Sequence, residues 1–123
     1  MCHVLVIDDE QMICSMLEKA LNRINCSVET ADNALGGISK FDSGKFDVVI
    51  TDVCMPGFDG HDVVRHIRGS KNCTTPIIGV SGTPCLLYES DFDDVLAKPF
   101  TIQALVDKIR SLTISHLASG FES

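Results

Sequence analysis

Five residues carry the chemistry open to this chain. Asp8 and Asp9 follow a short apolar run, Asp52 ends another, Ser81 follows a third and Lys98 a fourth. Three carboxylates brought together repel one another, so one of them holds a proton or a cation neutralises them. Oxygen donors on a rigid frame suit Mg²⁺, which keeps several waters and uses few carboxylates. No His or Cys side chain belongs to the set, which argues against zinc. A carboxylate is also a covalent nucleophile, including toward phosphorus. Phosphoryl transfer asks mainly for positioning and charge stabilisation. In that chemistry Lys98 holds one phosphoryl oxygen as a point charge, and the Ser81 hydroxyl bonds another. Taken singly, each residue has a plainer use. Asp8-Asp9 can open a helix, where acids are favoured, Ser81-Gly82 can be a turn, and Lys98 before Pro99 can be a surface lysine. The joint placement is what points to a site.

Each of these residues needs a strand end to carry it. His3 to Ile7 is apolar and β-branched, as a strand buried on both faces should be. Asp47 to Thr51 and Pro76 to Val80 read the same way, and Val95 to Ala97 is a shorter strand. Ser27 to Ala31 alternates, which suits a sheet edge. Between these runs the period changes. Met12, Ile13, Met16, Leu17, Ala20, Leu21 and Ile24 recur every three or four residues as one apolar stripe, with Lys19 and Arg23 off it. Ala34 to Phe41 reads as a short helix that Gly36-Gly37 weakens. Met55 to Gly60 is a loop by its Pro and Gly content. Val63, Val64 and Ile67 mark a third helix. Ile102, Leu105, Val106, Ile109 and Leu112 mark a last one, with Thr101 as its N-cap. Strands alternating with helices predict an α/β fold, a parallel sheet covered on both faces. Ligands of such sheets sit outside the carboxyl ends of the strands, near the point where strand order reverses. The acids, Ser81 and Lys98 all fall at such ends, so distant parts of the chain share one rim.

Composition sets the outer limits. A chain of 123 residues fits one domain. Its 45% hydrophobic and 22% charged residues are an ordinary globular balance, which excludes a disordered chain. Ten Lys and Arg against seventeen Asp and Glu give a net charge of −7. Direct nucleic-acid binding is therefore not expected, since it needs clustered basic residues. Cations and basic protein surfaces are the expected partners. No stretch approaches the ~20 apolar residues of a membrane span. The run Val4 to Ile7 is too short for a secretory signal and ends in two aspartates. Cys2, Cys14, Cys26, Cys54, Cys73 and Cys85 show no C-x-x-C spacing and sit among apolar residues. They read as thiols that pack as small hydrophobes in a reducing, cytoplasmic protein.

With these pieces in order, the chain resembles the receiver domains of response regulators in two-component signalling. The pieces are Val6-Ile7-Asp8-Asp9-Glu10, then Asp52-Val53-Cys54-Met55-Pro56 with Gly60, then Ser81-Gly82, then Lys98-Pro99-Phe100. The resemblance implies a doubly wound, flavodoxin-like sheet of five parallel strands in the order 2-1-3-4-5. It implies a receiver domain over 1–114, with 115–123 a C-terminal tail or linker start. It makes Asp52 the phosphoacceptor. Asp9, Asp52 and the main-chain carbonyl of Cys54 would bind Mg²⁺ directly, and Asp8 through a water. Lys98 and Ser81 would contact the phosphoryl group, and the Lys98–Pro99 bond would be cis. The phosphodonor would be a sensor histidine kinase or phosphotransfer protein, and the output a downstream protein or a fused domain.

Two departures from that family stand out. Where it carries Tyr or Phe three residues before the lysine, this chain has Val95. The stretch between Gly82 and Asp93 is also short, which predicts a shortened or irregular fourth helix. Tyr88 and Phe92 are the nearby aromatics, with plain packing as their simpler use. Two other functions compete with a phosphorylated switch. One is a degenerate receiver that acts as a phosphorylation-independent interaction module. The other is a phosphatase of the haloacid-dehalogenase type, which needs a second acid two residues after its nucleophile. Glu10 stands at that spacing from Asp8, but Cys54 stands there from Asp52.

Overall fold

The side chains of Val4, Leu5, Val6 and Ile7 are all buried, so their strand has to be covered on both faces. The computed structural model, which describes residues 2–53, 60–82 and 92–122 with side chains described to Thr113, shows how. In chain order the elements are β1 (Cys2–Ile7), α1 (Gln11–Asn22), β2 (Cys26–Ala31), α2 (Ala34–Ser43), β3 (Val48–Asp52), α3 (Gly60–Arg68), β4 (Ile77–Ser81), β5 (Asp94–Ala97) and α4 (Ile102–Glu122). The sheet is parallel throughout, in the order β2-β1-β3-β4-β5. This is the expected doubly wound topology. Strand order reverses between β1 and β3, and the two edge strands are those whose sequences are least apolar.

The pleat sorts side chains onto two faces by alternation. Val4 and Val6 of β1, Val48 and Ile50 of β3, and Ile78 and Val80 of β4 pack with Leu17 and Leu21 of α1 and Leu105 and Ile109 of α4. Leu5, Ile7, Val49 and Ile77 point the other way, onto Ala34 and Phe41 of α2 and Val63, Val64 and Ile67 of α3. Helix ends follow local chemistry. Asn33 caps α2 by accepting the Gly36 N–H at 2.7 Å, and Thr101 accepts the Ala104 N–H at 3.1 Å at the start of α4. Arg68, at the end of α3, holds the carbonyls of Cys73 and Thr75 with one guanidinium nitrogen and Asp93 Oδ2 with another at 2.7 Å. The same carboxylate oxygen accepts the Ile77 N–H at 2.7 Å. The entry to β5 is thereby tied to both α3 and β4.

Two expectations need correction, on the methionines of α1 and on Cys73. Met12 and Met16 are exposed, at 85% and 42%, so the buried stripe of α1 is Cys14, Leu17 and Leu21, flanked by Ile13 and Ile24. At about 100° per residue, Met12 and Met16 fall off the arc that Cys14, Leu17 and Leu21 share. Cys73 is exposed rather than packed; Cys14 and Cys26 are buried and Cys2 half-buried, and Cys54 and Cys85 lie outside the described residues. Gly37 is a packing residue, because a Cβ there would run into the buried side chain of Ile7. α4 runs on as helix to Glu122. The expected irregular fourth helix falls at 83–91, outside the described residues.

Candidate functional site

The acid-bearing ends of β1 and β3 lie side by side at the reversal of strand order, the position at which open parallel sheets bind ligands. Asp8 leaves β1 with its N–H donated to Ala31 O at 3.0 Å, and the thiol of Cys14 donates to its carbonyl at 3.3 Å. Its carboxylate accepts the Glu10 N–H at 2.9 Å, which fixes the turn into α1. Asp52 is the last residue of β3, and Val53 beyond it donates to Val80 O at 2.9 Å. Gly60 opens α3 directly against this chain: a Cβ there would stand 2.6 Å from Asp52 O and 2.8 Å from Val53 Cα. Ser81, fully buried, ends β4, and its carbonyl accepts the Lys98 N–H at 2.9 Å. The end of β5 is thus anchored to β4, and Lys98 is delivered to the rim. The Lys98–Pro99 bond is cis, as expected.

The Lys98 ammonium lies 3.1 Å from Asp8, 3.2 Å from Asp52 and 3.2 Å from Glu10. Asp8 and Asp52 are buried, at 3% and 5% exposure, while Glu10 faces solvent. Carboxylate oxygens of Asp8, Glu10 and Asp52 all lie within 4.8 Å of one another. Burial pushes the Asp8 carboxyl above its ordinary range; the Glu10 N–H opposes this, the charge of Asp52 adds to it, and Lys98 opposes it. Burial alone would lower Lys98, but its bonds and charges with Asp8 and Asp52 outweigh that and hold it above its usual value. It stays an ammonium across the physiological range.

Asp8, Asp52 and Lys98 therefore meet at one rim, and Ser81 ends the neighbouring strand there. Asp9 is exposed and lies outside the acidic group, and Glu10 takes the third place. Sequence reasoning passed over Glu10 because an acid at a helix start is ordinarily explained by the helix dipole. Its signal was the unbroken acidic run from Asp8 to Glu10. Cys54 lies outside the described residues. Phe92 packs rather than projecting: a Cβ on Gly79 would stand 2.7 Å from its ring, whose centroid is 5.9 Å from that of His61. Val95 is half-buried on β5, opposite Gly79, and Tyr88 lies outside the described residues.

Oxygen donors alone, two of them buried, fit a hard cation such as Mg²⁺. The three carboxylates gather around the Lys98 ammonium, an acidic setting that favours a divalent cation. Among the described residues no helix is long and apolar enough to cross a membrane.

Comparison with known proteins agrees with this geometry. Residues 4–110 match the family model of the response regulator receiver domain. The chain is 34% identical over 114 residues to the transcriptional regulatory protein ResD of Bacillus subtilis, covering 89% of this chain and 47% of the relative. It is 31% identical over 120 residues to the transcription factor SKN7 of Saccharomyces cerevisiae, covering 94% of this chain and 18% of the relative. The chain thus spans less than half the length of these two relatives. Among solved structures, the response regulator protein TrrA of Thermotoga maritima, in complex with Mg²⁺ and BeF, superposes with a TM-score of 0.81 at 33% identity, covering 91% of this chain and 99% of that one. The chemotaxis protein CheY4 of Vibrio cholerae superposes with a TM-score of 0.84 at 27% identity, covering 91% and 98%. The acids at the switch point, the lysine facing them and the match over nearly the whole chain converge: this chain belongs to the response regulator receiver domains, the phosphorelay modules of two-component signalling.

Proposed function

We propose that Asp52 is the residue phosphorylated, with Mg²⁺ held in the acidic pocket beside it. The observation that carries this reading is the joint contact of the Lys98 ammonium with Asp8 and Asp52 at 3.1 and 3.2 Å. Asp52 ends β3 at the rim of the sheet, and in this reading an oxygen of its carboxylate attacks phosphorus in line. The P–O bond forms as the P–N bond of a phosphohistidine breaks, and the electron pair goes to the imidazole nitrogen, which then takes a proton from solvent. Lys98 neutralises the acids before transfer and is close enough afterwards to hold a phosphoryl oxygen as a fixed charge. The Ser81 hydroxyl supplies a further hydrogen bond. Mg²⁺, when bound, supplies the positive charge that offsets the acids and the incoming phosphoryl oxygens. Asp8, Glu10 and Asp52 offer its ligands in the present arrangement. The family resemblance adds Asp9 and the Cys54 carbonyl.

The phosphodonor in this reading is a sensor histidine kinase or phosphotransfer protein, and a surface beside the site suits it. Met12 and Met16 are exposed on the first turns of α1, next to a shallow depression of about 370 Å³ lined by Glu10, Ile13, Met16, Lys98, Pro99 and Phe100. Exposed methionines adapt to varied apolar partners. A phosphorylation-independent module has no need of a buried acid pair neutralised by a lysine, and that alternative is not favoured.

Acetyl phosphate with Mg²⁺ tests the assignment without the donor. Intact-mass measurement is expected to show one added phosphoryl group on the wild type, none on Asp52→Asn and none in excess EDTA. An adduct on Asp52→Asn at the wild-type level would move the acceptor elsewhere.

A further inference from the structure

At the end of the sheet opposite the acidic rim, two thiols face each other. Cys2 and Cys26 are direct partners in the parallel pairing of β1 with β2. Both lie on the face covered by α1 and α4; Cys26 is buried in that core and Cys2 packs against it half-buried. In-register residues on neighbouring strands lie about 4.8 Å apart, inside the window of Cα separations that a disulfide spans. Nothing in phosphoryl transfer uses this pair.

We propose that Cys2 and Cys26 form a redox modification site, closing to a disulfide by exchange with a small-molecule disulfide. Cys2, the more exposed, attacks as thiolate. Its sulfur bonds to one sulfur of the oxidant, and the other leaves as a thiolate. Cys26, deprotonated in its turn, then attacks the Cys2 sulfur of the mixed disulfide, and the second small thiolate leaves. The protein loses two electrons and two protons, and the oxidant becomes two thiols. Burial, the hydrogen bond and charge of Cys26, and Asp47 push the Cys2 thiol up to about 12. Cys2 is therefore held as the thiol at neutral pH, and closure is slow. Closure joins β1 to β2 around α1, and so tightens one wall of the domain without touching the acids.

The native chain is incubated with oxidised glutathione, then alkylated and cleaved. Trypsin with a protease that cuts after acidic residues separates Cys2 from Cys14, since Asp8, Asp9 and Glu10 lie between them. The expected product is a cross-linked peptide pair containing Cys2 and Cys26, with a rise in Tm of roughly 5–10 °C. Both are reversed by reductant and absent from Cys2→Ser and Cys26→Ala. Exposed Cys73 is the internal control, since it takes glutathione as a mixed disulfide. The proposal is overturned if Cys73 reacts while Cys2 and Cys26 stay free. It is equally overturned if Cys2 stops at the mixed disulfide, or if Cys26 pairs with another cysteine.

Discussion

Asp8 is an acid whose charged form the fold disfavours, and a pH prediction follows. Burial raises its pKa above the ordinary 3.8, with the charge of Asp52 acting in the same direction. The folded state therefore binds this proton more tightly than the unfolded chain does. The stability that Asp8 confers is fully present below 3.8 and is lost as pH rises through the raised folded value. Near neutrality, without divalent cation, its ionised form is a cost. Asp8→Asn is expected to melt a few degrees higher than wild type at neutral pH in EDTA. The gap should close as the pH is lowered toward the ordinary carboxylate range. Mg²⁺, which stabilises the wild type by mass action, should stabilise the variant much less. Thermal melts across pH, with EDTA or Mg²⁺, measure all three. A variant less stable than wild type in EDTA would mean that the ion pair with Lys98 outweighs the burial of the charge.

The elements carry a second prediction, through two glycines. Gly60 lets α3 begin against Asp52, and Gly37 lets α2 lie on Ile7 of β1. Alanine at either position overpacks a rigid contact, at a cost of ~1–3 kcal/mol. At Gly37 that cost exceeds the ~1 kcal/mol that alanine normally gains in a helix. Urea unfolding should show both variants less stable than wild type. Gly60→Ala should in addition slow acetyl phosphate labelling, because it displaces the chain that carries the acceptor. These two positions also mark how much was legible beforehand. The strands and the placing of Asp8, Asp52, Ser81 and Lys98 at their carboxyl ends followed from apolar runs that end in polar residues, while the strand order came from the family resemblance. The role of Gly37 did not, because a glycine pair in a helix shows its propensity cost in sequence while its close contact is tertiary. The exposure of Met12 and Met16 was hidden for a related reason: periodicity places a residue on a face but does not say how wide a neighbour covers it. Glu10 was passed over because an acid at a helix start has a ready local explanation, while its contact with Lys98 is tertiary.

At the scale of the whole molecule, one end of the sheet holds the charge and the α1 surface beside it is apolar. In the function proposed above, that arrangement separates chemistry from recognition. Met12→Glu is expected to leave acetyl phosphate labelling of Asp52 at the wild-type rate. It should slow transfer from the cognate phosphodonor protein by about tenfold, the effect of losing one central apolar contact. Parallel time courses with the two donors check this. Equal slowing with both would place Met12 in the chemistry instead of the interface.

The clasp of Arg68 has a mechanical meaning at this scale. One guanidinium grips the connection from α3 to β4 and, through Asp93, the foot of the strand that ends in Lys98. A force that lifts the last turn of α3 off the sheet pulls on that foot as well. Asp93 is the point at which such a displacement would pass from α3 to the strand that delivers Lys98.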